Sequence, residues 1–220
     1  MCGLCFSLEF EMKKTYVYID GFNLYYGAVK GTPYKWLDLQ RMCELLLPQN
    51  EIVRIKYFTA KVSSRAGDPS QPLRQQIYLR ALQTIPNIRI IYGHFLTHEV
   101  SMRVANPGPG EPRFVNVLKT EEKGSDVNIA AHLIHDGYQG RYEVAVVITN
   151  DSDLLEPIRI VRRELGLVVG VINPHPGRTS RTLAVEASFV KSIRKWVLQK
   201  SQFPETLHDD YGVIRKPAAW

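Results

Sequence analysis

Apolar positions along the chain fall into two kinds of stretch. Tyr16–Asp20, Ile52–Thr59, Ile88–Tyr92, Val144–Ile148 and Leu167–Ile172 are runs of five to eight residues rich in β-branched or aromatic side chains, and all five read as strands. Val144–Ile148 and Leu167–Ile172 carry no polar side chain and read as buried on both faces. Between them the apolar residues recur at helical spacing. A helix starts near Leu24, and Leu39–Leu47 places Leu39, Met42, Cys43 and Leu46 on one face. Arg74–Gln83, Asp126–Asp136 and Leu154–Leu165 follow the same rule, as do Leu183–Val190 and Ile193–Leu198. Strands alternating with helices predict a parallel sheet covered by helices on both faces.

One stretch breaks the rhythm. Residues 97–118 alternate weakly on either side of the turn-rich tip Asn106–Pro112, which predicts a β-hairpin inserted at the top of the sheet. The expected architecture is therefore a three-layer α/β/α sandwich with a mainly parallel central sheet and an inserted β-hairpin. Its boundaries read as an N-terminal extension over 1–15, one domain over 16–198, and an extended, proline-punctuated tail over 199–220. Met12 is a plausible natural start, which makes residues 1–11 an extension.

Composition narrows the functional classes. Of 220 residues, 28 are Lys or Arg and 22 are Asp or Glu, a net charge of +6 with pI near 9.2. A basic surface of that size favours a polyanion. No apolar run approaches the roughly 18–20 residues that span a bilayer, so no membrane partner is expected. Met1–Met12 lacks the basic-then-apolar order of a secretion signal, which points to the cytoplasm. The cysteines are Cys2, Cys5 and Cys43, too few and odd in number for a disulfide framework. Cys2 and Cys5 form a C-x-x-C, but with no preceding strand and no second ligand pair it reads as neither a redox nor a zinc motif.

Acidic residues at strand ends carry the chemistry. The run Val144–Ile148 passes through Thr149-Asn150 into Asp151-Ser152-Asp153, and the first strand ends on Asp20. In open α/β sheets the C-terminal edge of the strands is where ligands bind. Each acid also has a plainer reading. Asp151 and Asp153 cap the helix that follows, Asp20 forms a turn with Asn23, and Asp126 sits in the first turn of its helix. The two readings separate if the first and fourth strands are neighbours, because Asp20, Asp126, Asp151 and Asp153 then share one edge. Carboxylates crowded together stay ionised only beside a cation, and oxygen-rich acidic sites suit Mg²⁺ or Mn²⁺.

Three blocks in order, Tyr18–Asn23, Glu121–Ala130 and Thr149–Leu154, resemble the signature blocks of the NYN (LabA-like) family within the PIN-like nuclease superfamily. The resemblance extends from about Tyr16 to Lys195. It implies a PIN-like sandwich and a Mg²⁺/Mn²⁺-dependent ribonuclease, with RNA, single-stranded or structured, as partner. It also implies Asp20, Asp126 and Asp151 as metal ligands, Asp153 as a fourth and Asn23 as a positioning residue. Cleavage would proceed by in-line attack of an activated water, leaving a 5′-phosphate and a 3′-hydroxyl. Many PIN nucleases take a further acid from an early helix; here Asp38 and Glu44 lie in that region and neither fits a motif. On the same edge Lys61, Arg65, Lys123, Arg178 and Arg181 are candidate RNA-binding cations, with Tyr25, Tyr26 and Phe58 as stacking candidates. His175, set between two prolines, reads as a plain loop histidine, and His132 and His135 as non-ligands. A homodimer is compatible with the sequence. Two rival readings are a non-catalytic RNA-binding module, which retention of all four aspartates opposes, and a small-substrate phosphohydrolase. For the latter, Phe22 stands where a haloacid-dehalogenase-type site needs its second acid.

Overall fold

The structure, a computed structural model, describes residues 12–64 and 67–220. Six parallel strands form its central sheet, in the order β3–β2–β1–β6–β7–β8. They are β1 (Lys13–Asp20), β2 (Asn50–Thr59), β3 (Ile88–Tyr92), β6 (Val144–Ile148), β7 (Val168–Asn173) and β8 (Phe189–Ser192). The chain runs outward from β1 to β3, then returns to lay β6 on the other side of β1. The strand order thus reverses between β1 and β6, where an open sheet leaves a crevice at its carboxyl edge.

Side-chain alternation along the strands builds one core on each face. Val17 and Ile19 of β1 join Val144, Val146 and Ile148 of β6 in the first core. Helices α2 (Leu39–Leu46), α3 (Gln71–Leu82) and α7 (Lys195–Lys200) close it through Leu39, Met42, Leu79, Leu82, Val197 and Leu198. Tyr18, Phe58, Ala145 and Val147 point the opposite way. They meet α4 (Ser125–Tyr138), α5 (Leu155–Arg159) and α6 (Arg181–Glu186) through Ile129, Leu133, Ile158 and Leu183. Burying each large apolar side chain contributes roughly 1.5–3 kcal/mol. The expectation of a parallel sheet sandwiched by helices therefore holds, with every pairing of the central sheet parallel.

Three segments differ from the sequence reading. The helix expected over Leu183–Val190 stops at Glu186, and Phe189–Ser192 becomes a sixth strand beside β7. The inserted hairpin is longer than 97–118: β4 (His94–Arg103) pairs antiparallel with β5 (Phe114–Lys123) from His94↔Lys123 to Arg103↔Phe114. The tail is not simply extended. It folds β9 (Thr206–Asp209) onto β10 (Gly212–Arg215), buries Phe203 and Ile214 in the first core, and packs Trp220 against Trp36 and Tyr78. Arg80 of α3 holds the tail hairpin through a fork of bonds to Asp209 at 2.7 and 2.5 Å. The N-terminal C-x-x-C lies outside the described residues; Cys43 is buried in α2.

A polar network fixes α4 on the sheet. Asp136, fully buried, accepts from Tyr18 Oη of β1 at 2.7 Å, from Lys56 of β2, and from Arg141 Nη1 at 2.9 Å. Burial works against its charge, yet these donors hold its carboxyl below the usual range. His132 completes the cluster, its Nδ1 3.2 Å from Lys56 Nζ. α4 starts with Ser125 and Asp126 at the sheet edge, so this anchor lies at the opposite end of the helix from them.

Candidate functional site

The crevice between β1 and β6 is a cavity of about 260 Å³ lined by Asp20, Asn23, Glu122, Asp126, Asp151 and His175, with Phe22, Tyr26 and Ser125 filling its wall. Each acid arrives from a different element. Asp20 is the last residue of β1 and caps the short helix α1 (Gly21–Leu24), accepting the Asn23 backbone N–H at 2.9 Å. Asp151 follows β6 and accepts the Asp153 N–H at 3.0 Å. Asp126 stands in the first turn of α4, reached from β5 through Gly124, whose φ of 98° is the left-handed conformation that glycine tolerates best. The capping reading of these aspartates is therefore correct as far as it goes. Asp20 and Asp151 each use one oxygen on a backbone cap, and all three still face one space.

Electrostatics mark the crevice. Burial pushes the Asp20 carboxyl up to about 6, and the Asp126 and Asp151 carboxylates push in the same direction. The Asn23 N–H and the Thr149 hydroxyl, 3.4 Å from Oδ2, work against them. Asp126 is raised by burial first, then by Asp151, Glu122 and Asp153. Glu122 was not singled out in the sequence. It lies at the end of β5, and its Oε1 accepts from Ser125 Oγ at 2.9 Å and from Ser125 N at 3.2 Å. Gly93 makes room for it: a Cβ there would fall 2.3 Å from Glu122 Oε1.

Asn23 ties the crevice together. Its Oδ1 accepts the Asn150 backbone N–H at 3.0 Å, and His175 Nε2 lies 3.1 Å from the same oxygen. An oxygen only accepts, so His175 must carry its proton on Nε2. The His175 backbone N–H in turn donates to Asn173 Oδ1 at 2.8 Å, and a Cβ on Gly27 would come within 2.8 Å of the imidazole ring. Asn150 Oδ1 accepts the Ser180 N–H at 2.7 Å. Loops after β1, β6 and β7 are thus one hydrogen-bonded unit. His175 belongs to the site, contrary to its reading as a plain loop residue.

Other candidates are placed differently. Asp153 is exposed and lies outside the cavity wall, close enough to Asp126 to influence it. Lys61, Lys123, Arg178 and Arg181 are exposed and none lines the cavity. Lys123 pairs with Glu121 at 3.2 Å, Lys61 Nζ sits 5.6 Å from the Tyr92 ring, and Arg65 lies outside the described residues. Phe58 is fully buried in the second core, not a stacking platform, whereas Tyr26 is about half exposed at the cavity mouth. Asp38 caps α2, and Glu44 pairs with Arg41 at 3.4 Å on its surface.

The donor set, three aspartates and a glutamate, is hard oxygen chemistry of the kind that holds Mg²⁺ or Mn²⁺. No lysine or arginine lines the cavity, so none among the described residues sits in its wall to offset the carboxylates. In their present orientations no three His, Cys, Asp or Glu side chains among the described residues converge closely enough to hold one ion. One oxygen of Asp20 and one of Asp151 accept a backbone N–H, and Asp20 Oδ2 also lies 3.4 Å from the Thr149 hydroxyl. The hard oxygen donors and the raised Asp20 and Asp126 carboxyls fit a cation.

Beside this crevice lies a second cavity of about 300 Å³, which shares Phe22, Tyr26 and Glu122 with it. Its remaining wall carries the aromatic rings of Tyr25, Tyr57, Tyr78, Phe95 and Trp220 among aliphatic, polar and charged residues. No helix among the described residues is long and apolar enough to cross a membrane.

The chain is similar to 6-hydroxy-3-succinoylpyridine 3-monooxygenase HspA of Pseudomonas putida (strain DSM 28022 / S16). They share 34% identity over 97% of this chain and 77% of that protein. Its fold is similar to the crystal structure of a protein of unknown function from Vibrio parahaemolyticus RIMD 2210633, with a TM-score of 0.53 at 17% identity over 84% of this chain and 94% of the other. The NYN domain matches residues 14–193, and with strand order, acid placement and that match in agreement, the chain belongs to the NYN domain family of the PIN-like nuclease superfamily.

Proposed function

We propose that the protein is a divalent-metal-dependent ribonuclease that hydrolyses RNA phosphodiester bonds at the crevice between β1 and β6. The observation that carries this reading is the meeting of Asp20, Asp126, Asp151 and Glu122 around one cavity at the point where strand order reverses. Asp20, Asp126 and Asp151 would hold Mg²⁺ or Mn²⁺. The bound cation supplies charge neutralisation at the scissile phosphate and acidifies a water molecule. Glu122 fills the place of the fourth acid, and Asp153 acts on Asp126 from outside the cavity. Asn23 positions the Asn150 backbone and His175. His175 lines the cavity with its Nε2–H given to Asn23 Oδ1, so it braces Asn23 from the loop after β7. The exposed Lys61, Lys123, Arg178 and Arg181, with Arg65, would track the RNA backbone outside the crevice.

A second reading comes from the 34% identical relative, whose name is that of a monooxygenase of 6-hydroxy-3-succinoylpyridine. The aromatic cavity beside the crevice would accept such a ring. The acids favour the nuclease, because a crevice of carboxylates suits a divalent cation that would in turn draw in a phosphate. Two incubations of the purified protein separate the readings. Labelled single-stranded RNA is presented with Mn²⁺ or with EDTA. The succinoylpyridine is presented with oxygen and a reduced flavin or nicotinamide. Shortened RNA in Mn²⁺ alone supports the nuclease. Oxygen uptake with an oxygenated product, and intact RNA, would replace it with the monooxygenase.

A further inference from the structure

We propose that the aromatic cavity beside the crevice is a nucleobase pocket, receiving one unstacked base of the RNA strand whose phosphate occupies the carboxylate crevice. This rests on the nuclease reading above. The two cavities meet along Phe22, Tyr26 and Glu122, and Phe22 stands two residues beyond Asp20. A nucleotide joins a flat heteroaromatic ring to an anion, and the adjoining cavities provide a place for each.

The pocket is preformed. Its volume of about 300 Å³ is at the lower end of the roughly 300–1,000 Å³ typical of small-molecule sites. Hydrogen bonds hold its walls open. Tyr78 Oη donates to the Leu37 carbonyl at 2.8 Å. Gln75 accepts the Val62 N–H at 2.9 Å and donates to the Ala60 carbonyl at 2.9 Å, which fixes the chain leaving β2 as one side. Gly21 lets α1 approach Tyr57, since a Cβ there would lie 2.7 Å from the phenol ring. At the partition, Phe22 stacks edge-on against Phe95 of the β4–β5 hairpin with centroids 5.6 Å apart. Tyr25 stands edge-on to Tyr26 at 5.3 Å, and Trp220 to Tyr78 at 5.8 Å. Rings at several orientations around an open space give a base both a face to stack on and edges to meet. Arg74 and Lys35 also line the cavity, with Arg74 already paired to Asp68. Asp68 and Glu122 line the same cavity, so two carboxylates stand against its two cations and the ring is the group that enters.

The same ring-plus-anion chemistry occurs in free aromatic acids, and the test separates the two sources. Fluorescein-labelled short single-stranded RNA is compared by anisotropy with RNAs carrying one abasic nucleotide at each position in turn. The full chain is used in Ca²⁺, a hard cation for the carboxylates, and the RNA is checked to be intact afterwards, so binding is read without cleavage. Nicotinate binding is measured by calorimetry in parallel, and RNA cleavage in Mn²⁺ is scored separately. Removing the base at one defined position is expected to weaken binding roughly ten-fold. That difference is expected to vanish in Tyr25→Ala, which removes a wall, and in Val62→Trp, which plugs the pocket without deleting core. A base-dependent difference that survives in Val62→Trp overturns the pocket. So does equal binding of every abasic RNA; if nicotinate then binds wild type and not Val62→Trp, the cavity serves a free aromatic acid. Equal binding with intact Mn²⁺-dependent cleavage removes the pocket alone. A base-dependent difference without cleavage keeps the pocket and removes the nuclease.

Discussion

The side-chain oxygen of Asn23 accepts the backbone N–H of Asn150 at 3.0 Å, joining the turn after β1 to the turn after β6 across the floor of the acidic crevice. Asp20 and Asp151 lie on either side of that bond in the two turns. Neither acid can shift along its strand edge without straining it. Asn23→Ala is therefore expected to lower cleavage roughly 10–100-fold, the usual penalty for losing a group that orients metal-binding residues. Because His175 loses its partner as well, Mn²⁺ titration followed by thermal shift should show weakened cation binding. Wild-type rate and affinity in this variant would remove Asn23 from the site.

Gly27 makes a related prediction. Its missing side chain is the space against which the His175 ring rests. Gly27→Ala should push the imidazole away from Asn23 and reduce cleavage, with only a modest change in melting temperature. His175→Ala should reproduce the kinetic loss, and the double variant should be no worse than either one. Additive losses would mean that Gly27 acts on something other than His175.

The buried carboxyl of Asp20 sets a pH dependence. Its value of about 6 in the folded protein lies above the ordinary 3.9 of an unfolded aspartate. Between those values the folded state binds a proton that the unfolded chain does not. The contribution of this group to stability therefore grows as pH falls from about 6 towards 4 and is lost as pH rises. At neutral pH the ionised group costs on the order of 2–3 kcal/mol in metal-free protein. Asp20→Asn keeps the cap to the Asn23 N–H through its remaining oxygen. It is expected to raise metal-free stability at pH 7.5, to flatten the pH 4–6 dependence, and to abolish stabilisation by Mn²⁺. Denaturant unfolding across that pH range checks all three, and an unchanged pH profile would refute the assignment.

Asp136 has the opposite sign. Tyr18, Lys56 and Arg141 hold it ionised, and its contribution is lost only below the usual carboxylate range. Removing one partner of a buried pair leaves an uncompensated charge, typically worth 3–5 kcal/mol. Asp136→Asn should lose about that much in urea unfolding. Far below its melting temperature it should still cleave RNA, since no member of this network lines the crevice.

Much of this was legible in the sequence because buried parallel strands announce themselves. Val144–Ile148 is apolar at every position, and the structure spends alternate residues on the two cores. A β8 strand of four residues, half-buried or exposed throughout, carries no such signal and looked like the end of a helix. Acids at strand ends were readable from position alone. Glu122 was not: it sits in a run of charges in which Lys119, Glu121 and Lys123 pair among themselves on the hairpin. Only the long-range pairing of β4 with β5 delivers it to the crevice, and Gly93, which makes its space, is 29 positions earlier in the chain. His175 was hidden for a similar reason, since its partner Asn23 is 152 residues away. Phe58 was misplaced because an aromatic near a strand end faces either side depending on parity, and its parity points to the second core.

The most direct measurement is single-turnover cleavage of 5′-labelled single-stranded RNA in Mn²⁺ by wild type, Asp151→Asn and Asp153→Asn. An asparagine at 151 can still accept the Asp153 N–H, so the turn after β6 should survive the change. Cleavage that disappears in EDTA, is abolished in folded Asp151→Asn and persists near the wild-type rate in Asp153→Asn is the predicted result. Undiminished cleavage by Asp151→Asn, or wild-type cleavage that ignores EDTA, would contradict the account.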